Sequence, residues 1–429
     1  MAFAGMIGPH STSDVAHVTL RLGRLLLANG ADTGLVQASV STLARRLGYE
    51  AQLLVHPEAL LLTLEDEHSF RTKLGHAISG MTVNMGALAA LDDIVGKTAT
   101  APDIATVDRQ LDAVERAGNR YPHWLVAIGM GLTAASLARL FAGAWPVVGV
   151  SVLVGIVSFL LRQRFGAWSM NQVASAALVA LASGLVGALA MKAFPDASPT
   201  LCLVAAGMIL VPGVPLINGV RETLGSHVGT GIARLMLGAI TVMAIAFGLF
   251  LAAGLAGGTL PVDSRTGLLP IGEDLLFSAL AAIGFSLLFN VPAKAAWACM
   301  LCGMAGHGLR TALAHAGLNL LAGTLVAAFA AGLLAHALAQ YFKVPATTFA
   351  FPGVVAMIPG SYAFRAAIGG LAIMNSGSAA ATGLIGDTIG LAITAILMTA
   401  AIAVGLSLAL AAPFVISASQ STDPSGAVQ

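Results

Sequence analysis

Two short segments carry the densest chemical signal in this chain: Val211-Pro-Gly-Val-Pro215 and Phe351-Pro-Gly-Val-Val-Ala-Met-Ile-Pro-Gly360, each set in an apolar stretch. Proline has no amide for an interior helical hydrogen bond and its ring clashes with the preceding turn, whereas glycine accepts the dihedrals of a break. Helices carrying Pro212, Gly213 and Pro215, or Pro352, Gly353, Pro359 and Gly360, should therefore be discontinuous. In hydrocarbon a break is tolerated only where it is buried in protein or lines a wet cavity, and its freed amides then offer a site to a carboxylate. The plain alternative is a kink without a function.

Polar residues follow both breaks. Asn218, Arg221 and Glu222 come after the first, and Ser361, Tyr362 and Arg365 after the second. Together they could hold an ammonium, a hydroxyl and a carboxylate by charge-assisted hydrogen bonds. Alternatively, Arg221, Glu222 and Arg365 are loop charges that snorkel to water. Asp387, in Gly383-Leu-Ile-Gly-Asp-Thr-Ile-Gly390, has no basic residue within about ten positions. A lone carboxylate inside a span is costly when ionised, so Asp387 is the first candidate to carry a proton and Glu222 the second. If the span starts near 384, Asp387 is interfacial instead. His307, His315 and His336 also fall in apolar stretches, as packing histidines or as a relay.

The elements that must position these groups are membrane helices. Only 10% of the 429 residues are charged while 57% are hydrophobic, against roughly 25% charged in a soluble domain. The net charge of +1 and the absence of a basic run exclude a nucleic-acid partner. Ten of the 21 Lys and Arg and 13 of the 20 Asp and Glu precede residue 121, so a soluble region is followed by a membrane region. Spans are expected near 124–142, 144–162, 171–192, 199–217, 231–256, 273–290, 294–314, 318–341, 346–370 and 379–412. Trp124, Trp145, Trp168, Trp297 and Tyr341 lie near span ends, as an aromatic belt would.

Within residues 1–120, helical spacing over 12–29, 33–47, 81–95 and 103–117 and short strands near 51–55, 59–64 and 69–74 give an α+β domain. Its N-terminus lacks a signal-peptide pattern, which predicts a cytosolic domain. Asp32, His56, Glu58, Asp66 and His68 are polar enough to form a catalytic group, and equally fit surface and cap positions. Cys202, Cys299 and Cys302 are expected to be packing residues, with neither a disulfide framework nor a metal site.

A shift of about 147 residues superimposes the spans. Residues 209–213 fall on 356–360, and Pro199 falls within one position of Pro345. Two halves of five spans, 121–260 and 261–429, must enter a bilayer in opposite senses, the inverted-repeat design of many secondary transporters. Charges in the expected loops divide nearly evenly: Arg162, Arg164, Arg221, Arg234, Lys294 and Lys343 inside, and Arg139, Lys192, Arg265, Arg310 and Arg365 outside. Orientation therefore rests on the charged N-terminal region, which places both termini in the cytosol.

At Leu26-Leu-Ala-Asn-Gly-Ala-Asp-Thr33, Val211 through Arg221, Lys343-Val-Pro345 and Phe351 through Gly360, the chain resembles the threonine/serine exporter family. The resemblance spans nearly the whole sequence. It implies a proton-coupled secondary carrier, without a cofactor, that moves threonine and serine out of the bacterial cytoplasm through the inner membrane. Substrate amino acid, protons and lipid would be its partners, and a homo-oligomer stays open. Where the family commonly has Glu-Thr-Tyr-Arg-Val-Glu, this chain has Asp32-Thr-Gly-Leu-Val-Gln37, keeping the acid and losing the arginine. A related arrangement, with the modules on separate chains, resembles a dicarboxylate exporter and keeps succinate-like substrates open. A membrane-embedded enzyme or a non-transporting scaffold are the other classes; the first wants paired catalytic groups at one depth, and the second needs no matched breaks. The expected fold is thus an all-α integral membrane protein of ten transmembrane helices in a 5+5 inverted repeat, behind a small α+β cytosolic domain.

Overall fold

The computed structural model describes residues 11–56, 58–66, 70–75, 82–98, 103–195, 200–257 and 267–420; His68, Pro199 and Arg265 lie outside them. The N-terminal domain begins with α1 (Thr12–Ala28) and α2 (Thr33–Arg46). Ser11 and Asp32 cap them, accepting the amides of Asp14 and Leu35, which satisfies donors a helix start otherwise leaves open. Their apolar stripes, Val15, Val18, Leu22 and Val36, Val40, Leu43, are buried. The antiparallel meander β1 (Glu50–Val55), β2 (Leu60–Glu65) and β3 (Phe70–Gly75) packs on α1 and α2. Alternation along the central strand turns Leu60, Leu62 and Leu64 into the core.

Then α3 (Met85–Lys97) and α4 (Ile104–Arg116) close the domain. Arg21 of α1 clasps α4, reaching Asp108 at 2.6 Å, Glu115 at 2.7 Å and Asp112. That hydrogen bond from Arg21 holds the Asp112 carboxyl below the usual carboxylate range.

After the domain come α5 (His123–Leu140), α6 (Trp145–Ala167), α7 (Gln172–Met191), α8 (Thr200–Met208), α9 (Gly213–Leu224) and α10 (Val228–Leu255). A second series follows: α11 (Ile271–Leu288), α12 (Ala296–Gly303), a π-helical turn (Met304–Gly308), α13 (Leu309–His315), α14 (Leu320–Phe342), α15 (Thr347–Val354), α16 (Gly360–Ser376) and α17 (Thr382–Gln420). Among the described residues, α5, α6, α7, α10, α11, α14 and α17 are each long and apolar enough to cross a membrane. The bent pair α15–α16 makes an eighth candidate. The chain is a multi-pass membrane protein, and a count of ten needs α8–α9 and α12–α13 to cross as well. Trp124, Trp145, Trp168, Trp297 and Tyr341 are all exposed at helix ends.

The first helices of the two series run antiparallel. Tyr121, just before α5, donates its hydroxyl to the Val291 carbonyl beyond α11 at 2.8 Å, while Arg139 at the far end of α5 pairs with Glu273 in the first turn of α11 at 2.5 Å. Later elements keep equivalent neighbours, with α10 packed on α7 and α9, and α17 on α14 and α16. The N-terminal domain lies on the end where α11 finishes: Met85 donates its amide to the Phe289 carbonyl at 2.8 Å, and Asn290 donates to Asn84 at 2.9 Å.

Candidate functional site

Both proline–glycine segments break their helices, in the same way. Pro212 before α9 has φ −76° and ψ 66°, and Pro359 before α16 has φ −76° and ψ 42°. Pro215 sits inside the first turn of α9, where a missing amide costs little. The second break is shorter than the sequence implied. Phe351-Pro-Gly-Val354 stays helical within α15, and only the 3-10 turn Val355–Met357 with Ile358 and Pro359 leaves the helix, bending α15 from α16 by 46°. Pro352 cannot bond the Thr348 carbonyl four residues back; the Cys299 thiol donates to that oxygen at 3.7 Å instead. Gly353 packs directly against the Cβ and backbone of Cys302, a second close contact between α12 and α15.

The two breaks touch reciprocally. A Cβ on Gly213 would overlap the Cδ1 of Ile358, and one on Gly360 would come within 2.8 Å of the Cγ2 of Val211. Val211 and Ile358 are equivalent under the 147-residue shift, as are Gly213 and Gly360, so the contact is self-complementary in the manner of a twofold interface. It brings the N-terminal ends of α9 and α16 together, each without a side-chain cap, and helix N-termini attract negative charge. Ser361, in the first turn of α16, is buried, and its hydroxyl has no hydrogen-bond partner among the described residues. Tyr362 and Arg365 are buried on the same helix.

A second cluster joins α9 and α10 to the N-terminal domain. Asn218, fully buried, donates to the Gly30 carbonyl at 3.3 Å and accepts from Arg221, which itself reaches Asp32 at 3.2 Å. Glu222 accepts the amide and hydroxyl of Thr33 at 3.0 and 2.9 Å. Arg234 of α10 donates to the Ala31 carbonyl at 3.0 Å and stands 3.0 Å from Glu222, an ion pair by distance without aligned hydrogen-bond geometry. The Gly30–Thr33 turn of the domain is thus seated on the membrane helices. Arg221 brings a guanidinium to this turn, at Asp32. Arg221, Glu222 and Arg365 are therefore not loop charges reaching for water: each lies within a helix, and Glu222 and Arg365 are buried.

The third cluster adjoins the second break from the opposite side. Asp274 of α11 and His307 of the π-turn are buried, with Nδ1 of His307 2.9 Å from both carboxylate oxygens. Thr311 donates to Asp274 at 2.7 Å, Arg310 Nη2 lies 2.5 Å from His307 Nε2, and Arg310 Nη1 is 3.5 Å from the Met357 carbonyl. Of the three histidines singled out in the sequence, His307 alone enters such a group. His315 bonds the Leu269 carbonyl and His336 bonds Gln340.

Asp387 is the sixth residue of α17 and faces outward, apart from these clusters. His56 and Glu58 lie in the exposed β1–β2 turn and Asp66 beyond the opposite end of β2, so they do not gather with Asp32 into one catalytic group. Arg234, Asp274 and Arg310 add charge to these clusters, although sequence reasoning gave them no role. Arg234, seven residues into a long apolar helix, was counted among the inside loop charges, and Asp274, in the first turn of α11, was not singled out.

The comparisons agree with the membrane architecture. The threonine/serine exporter model ThrE matches residues 17–256, and a second threonine/serine exporter model, ThrE_2, matches residues 274–412. The "Probable succinate transporter subunit YjjP" of Escherichia coli strain K12 is 27% identical over 243 residues, covering 56% of this chain and 93% of its own. Its namesake in Klebsiella aerogenes is 26% identical over the same length, with 56% and 92% covered. The "Probable threonine/serine exporter" of Mycobacterium tuberculosis H37Rv is 25% identical over 390 residues, covering 85% of this chain and 71% of its own. No solved structure matches. The first of these family patterns runs from the N-terminal domain through α10, the span that Asp32, Thr33, Glu222 and Arg234 tie together, and the chain belongs to the threonine/serine exporter family.

Proposed function

We propose that the protein exports threonine, serine or a similar small hydrophilic amino acid across the bacterial cytoplasmic membrane in exchange for protons, binding its substrate where the two broken helices cross. The observation that carries this reading is the reciprocal contact of Gly213 with Ile358 and of Gly360 with Val211. Around it, two helix N-termini suit a carboxylate, Ser361 offers an unused hydroxyl, and Pro352, Gly353 and Pro215 shape the flanking turns. Tyr362 and Arg365 lie on the α16 side; Asn218 and Arg221 link the α9 side to the N-terminal domain.

Ten crossings in an inverted 5+5 arrangement fit this site. The antiparallel run of α5 and α11 supports it, as do the equivalent neighbours of α10 and α17. With the N-terminal domain in the cytosol, α9 and α11 end on the cytosolic side, and both termini share it. The Glu222–Arg234 cluster then closes the cytosolic side, and the Asp274–His307 cluster lies across the crossing from it. Transporter and exporter names among the relatives support a carrier rather than an enzyme. A second reading, a succinate-like dicarboxylate, is favoured by the YjjP relatives, because two carboxylates could take both helix N-termini.

Efflux from proteoliposomes loaded with labelled threonine, serine or succinate tests both. Threonine or serine should leave faster when the outside is made acidic. Faster release of succinate alone would transfer the assignment to the second reading, and no release of any of the three would remove both.

A further inference from the structure

We propose that His307 takes up the coupling proton, and that its protonation expels Arg310 from the edge of the second break. The inference rests on the proton-antiport reading and adds the residue that performs it.

The geometry fixes the resting state of the ring. Arginine has N–H donors and no acceptor, so Arg310 Nη2, 2.5 Å from Nε2, requires that Nε2 carry a lone pair. The one ring proton is then on Nδ1, directed at the Asp274 carboxylate 2.9 Å away. His307 is neutral in this arrangement. Asp274, His307 and Arg310 together carry no net charge, as a buried site requires.

A second proton can bind only at Nε2, the place Arg310 occupies. The new N–H bond would put a donor against a donor and an imidazolium against a guanidinium. Asp274 retains the imidazolium, because both its oxygens face Nδ1 and Thr311 also donates to it. Arg310 must leave, and it takes with it the contact from Nη1 to the Met357 carbonyl. Proton uptake therefore frees a backbone carbonyl of the break and delivers a cation to the edge of the crossing, where it repels the ammonium group of a substrate, so that proton and substrate exclude one another as exchange requires. The π-turn that carries His307 is a local distortion of the helix, a feature found often at functional positions.

Nearby charges do not supply an alternative partner. Glu273, beside Asp274, is taken by Arg139, and His315 on α13 is held by the Leu269 carbonyl. The α12 cysteines face α15, which has no titratable residue, and on α14, which meets the π-turn at Ala331, His336 is held by Gln340. Tyr362 on α16 lies close enough to Arg310 to affect it, with Arg365 buried one turn further along the helix.

Proteoliposome efflux with and without an acidic exterior, using whichever substrate the parent protein carries, separates the claims. If the parent shows no response to the gradient, the antiport reading fails before His307 is reached. Given a responsive parent, His307→Gln should reduce the ratio of driven to undriven efflux at least tenfold while isotope exchange at equal pH persists. Asp274→Asn provides a second readout that keeps the imidazole: losing its counter-charge should move the midpoint of the pH response to lower pH. A gradient response that survives in His307→Gln, one that vanishes in Asp387→Asn alone, or a midpoint unmoved in Asp274→Asn would each overturn the proposal.

Discussion

Replacing Arg234 by methionine should destabilise the protein by about 3–5 kcal/mol, the cost of leaving one member of a buried ion pair without its partner. Glu222 would keep the hydrogen bonds from Thr33 but lose the cation 3.0 Å from its other oxygen. The Ala31 carbonyl would lose its donor as well. Adding Glu222→Gln removes the stranded charge, so the double variant should recover most of the loss. Thermal melting in lipid nanodiscs measures the first effect, and the double-mutant comparison isolates the pair. The same substitution should speed proteolysis within residues 1–120, because Arg234 and Thr230 both anchor the domain to α10. An Arg234→Met protein as stable as its parent would mean that the pair is not buried as described.

Gly213→Val should have the larger effect on transport. Its Cβ has no space against Ile358, and forcing extra atoms into a packed contact costs about 1–3 kcal/mol. If that strain falls entirely on the crossing, efflux should drop roughly 10–100-fold, since each 1.4 kcal/mol is a factor of ten. Gly360→Val should behave alike, meeting Val211 across the same axis. Shortening the opposing side chain provides the control: Gly213→Ala with Ile358→Ala should transport better than Gly213→Ala by itself. Initial efflux rates report all four variants, and failure of the double variant to improve on the single one would argue against direct contact.

Much of this architecture was legible in the residues. Composition places the chain in lipid, capping by Ser11, Asp32 and Asp103 marks helix starts in the N-terminal domain, and alternation in Leu60–Glu65 marks its central strand. Proline and glycine announce both breaks because no other residues relax the backbone that way. What spacing does not encode is which way a membrane helix faces. Helix α17 is apolar nearly all round, so its sequence is equally compatible with Asp387 turned inward or outward, and the fold turns it outward. Glu222 and Arg234 are twelve positions apart across a helix junction, and Asp274 and His307 thirty-three; neither separation resembles a motif. The N-terminal turn was recognisable as a signature, but its partner Arg221 belongs to another region of the chain and becomes visible only when the domain is docked.

The crossing of α9 and α16 can be tested most directly with a cysteine at Ser361. Cys202, Cys299 and Cys302 are buried, so the parent provides the background against which a water-soluble maleimide reacts. In Ser361→Cys protein reconstituted in liposomes, threonine or serine should slow labelling in proportion to its occupancy, with half-protection at the concentration that half-saturates efflux by the same variant. Labelling that proceeds at one rate with and without a substrate the variant still transports would contradict a binding site at the crossing.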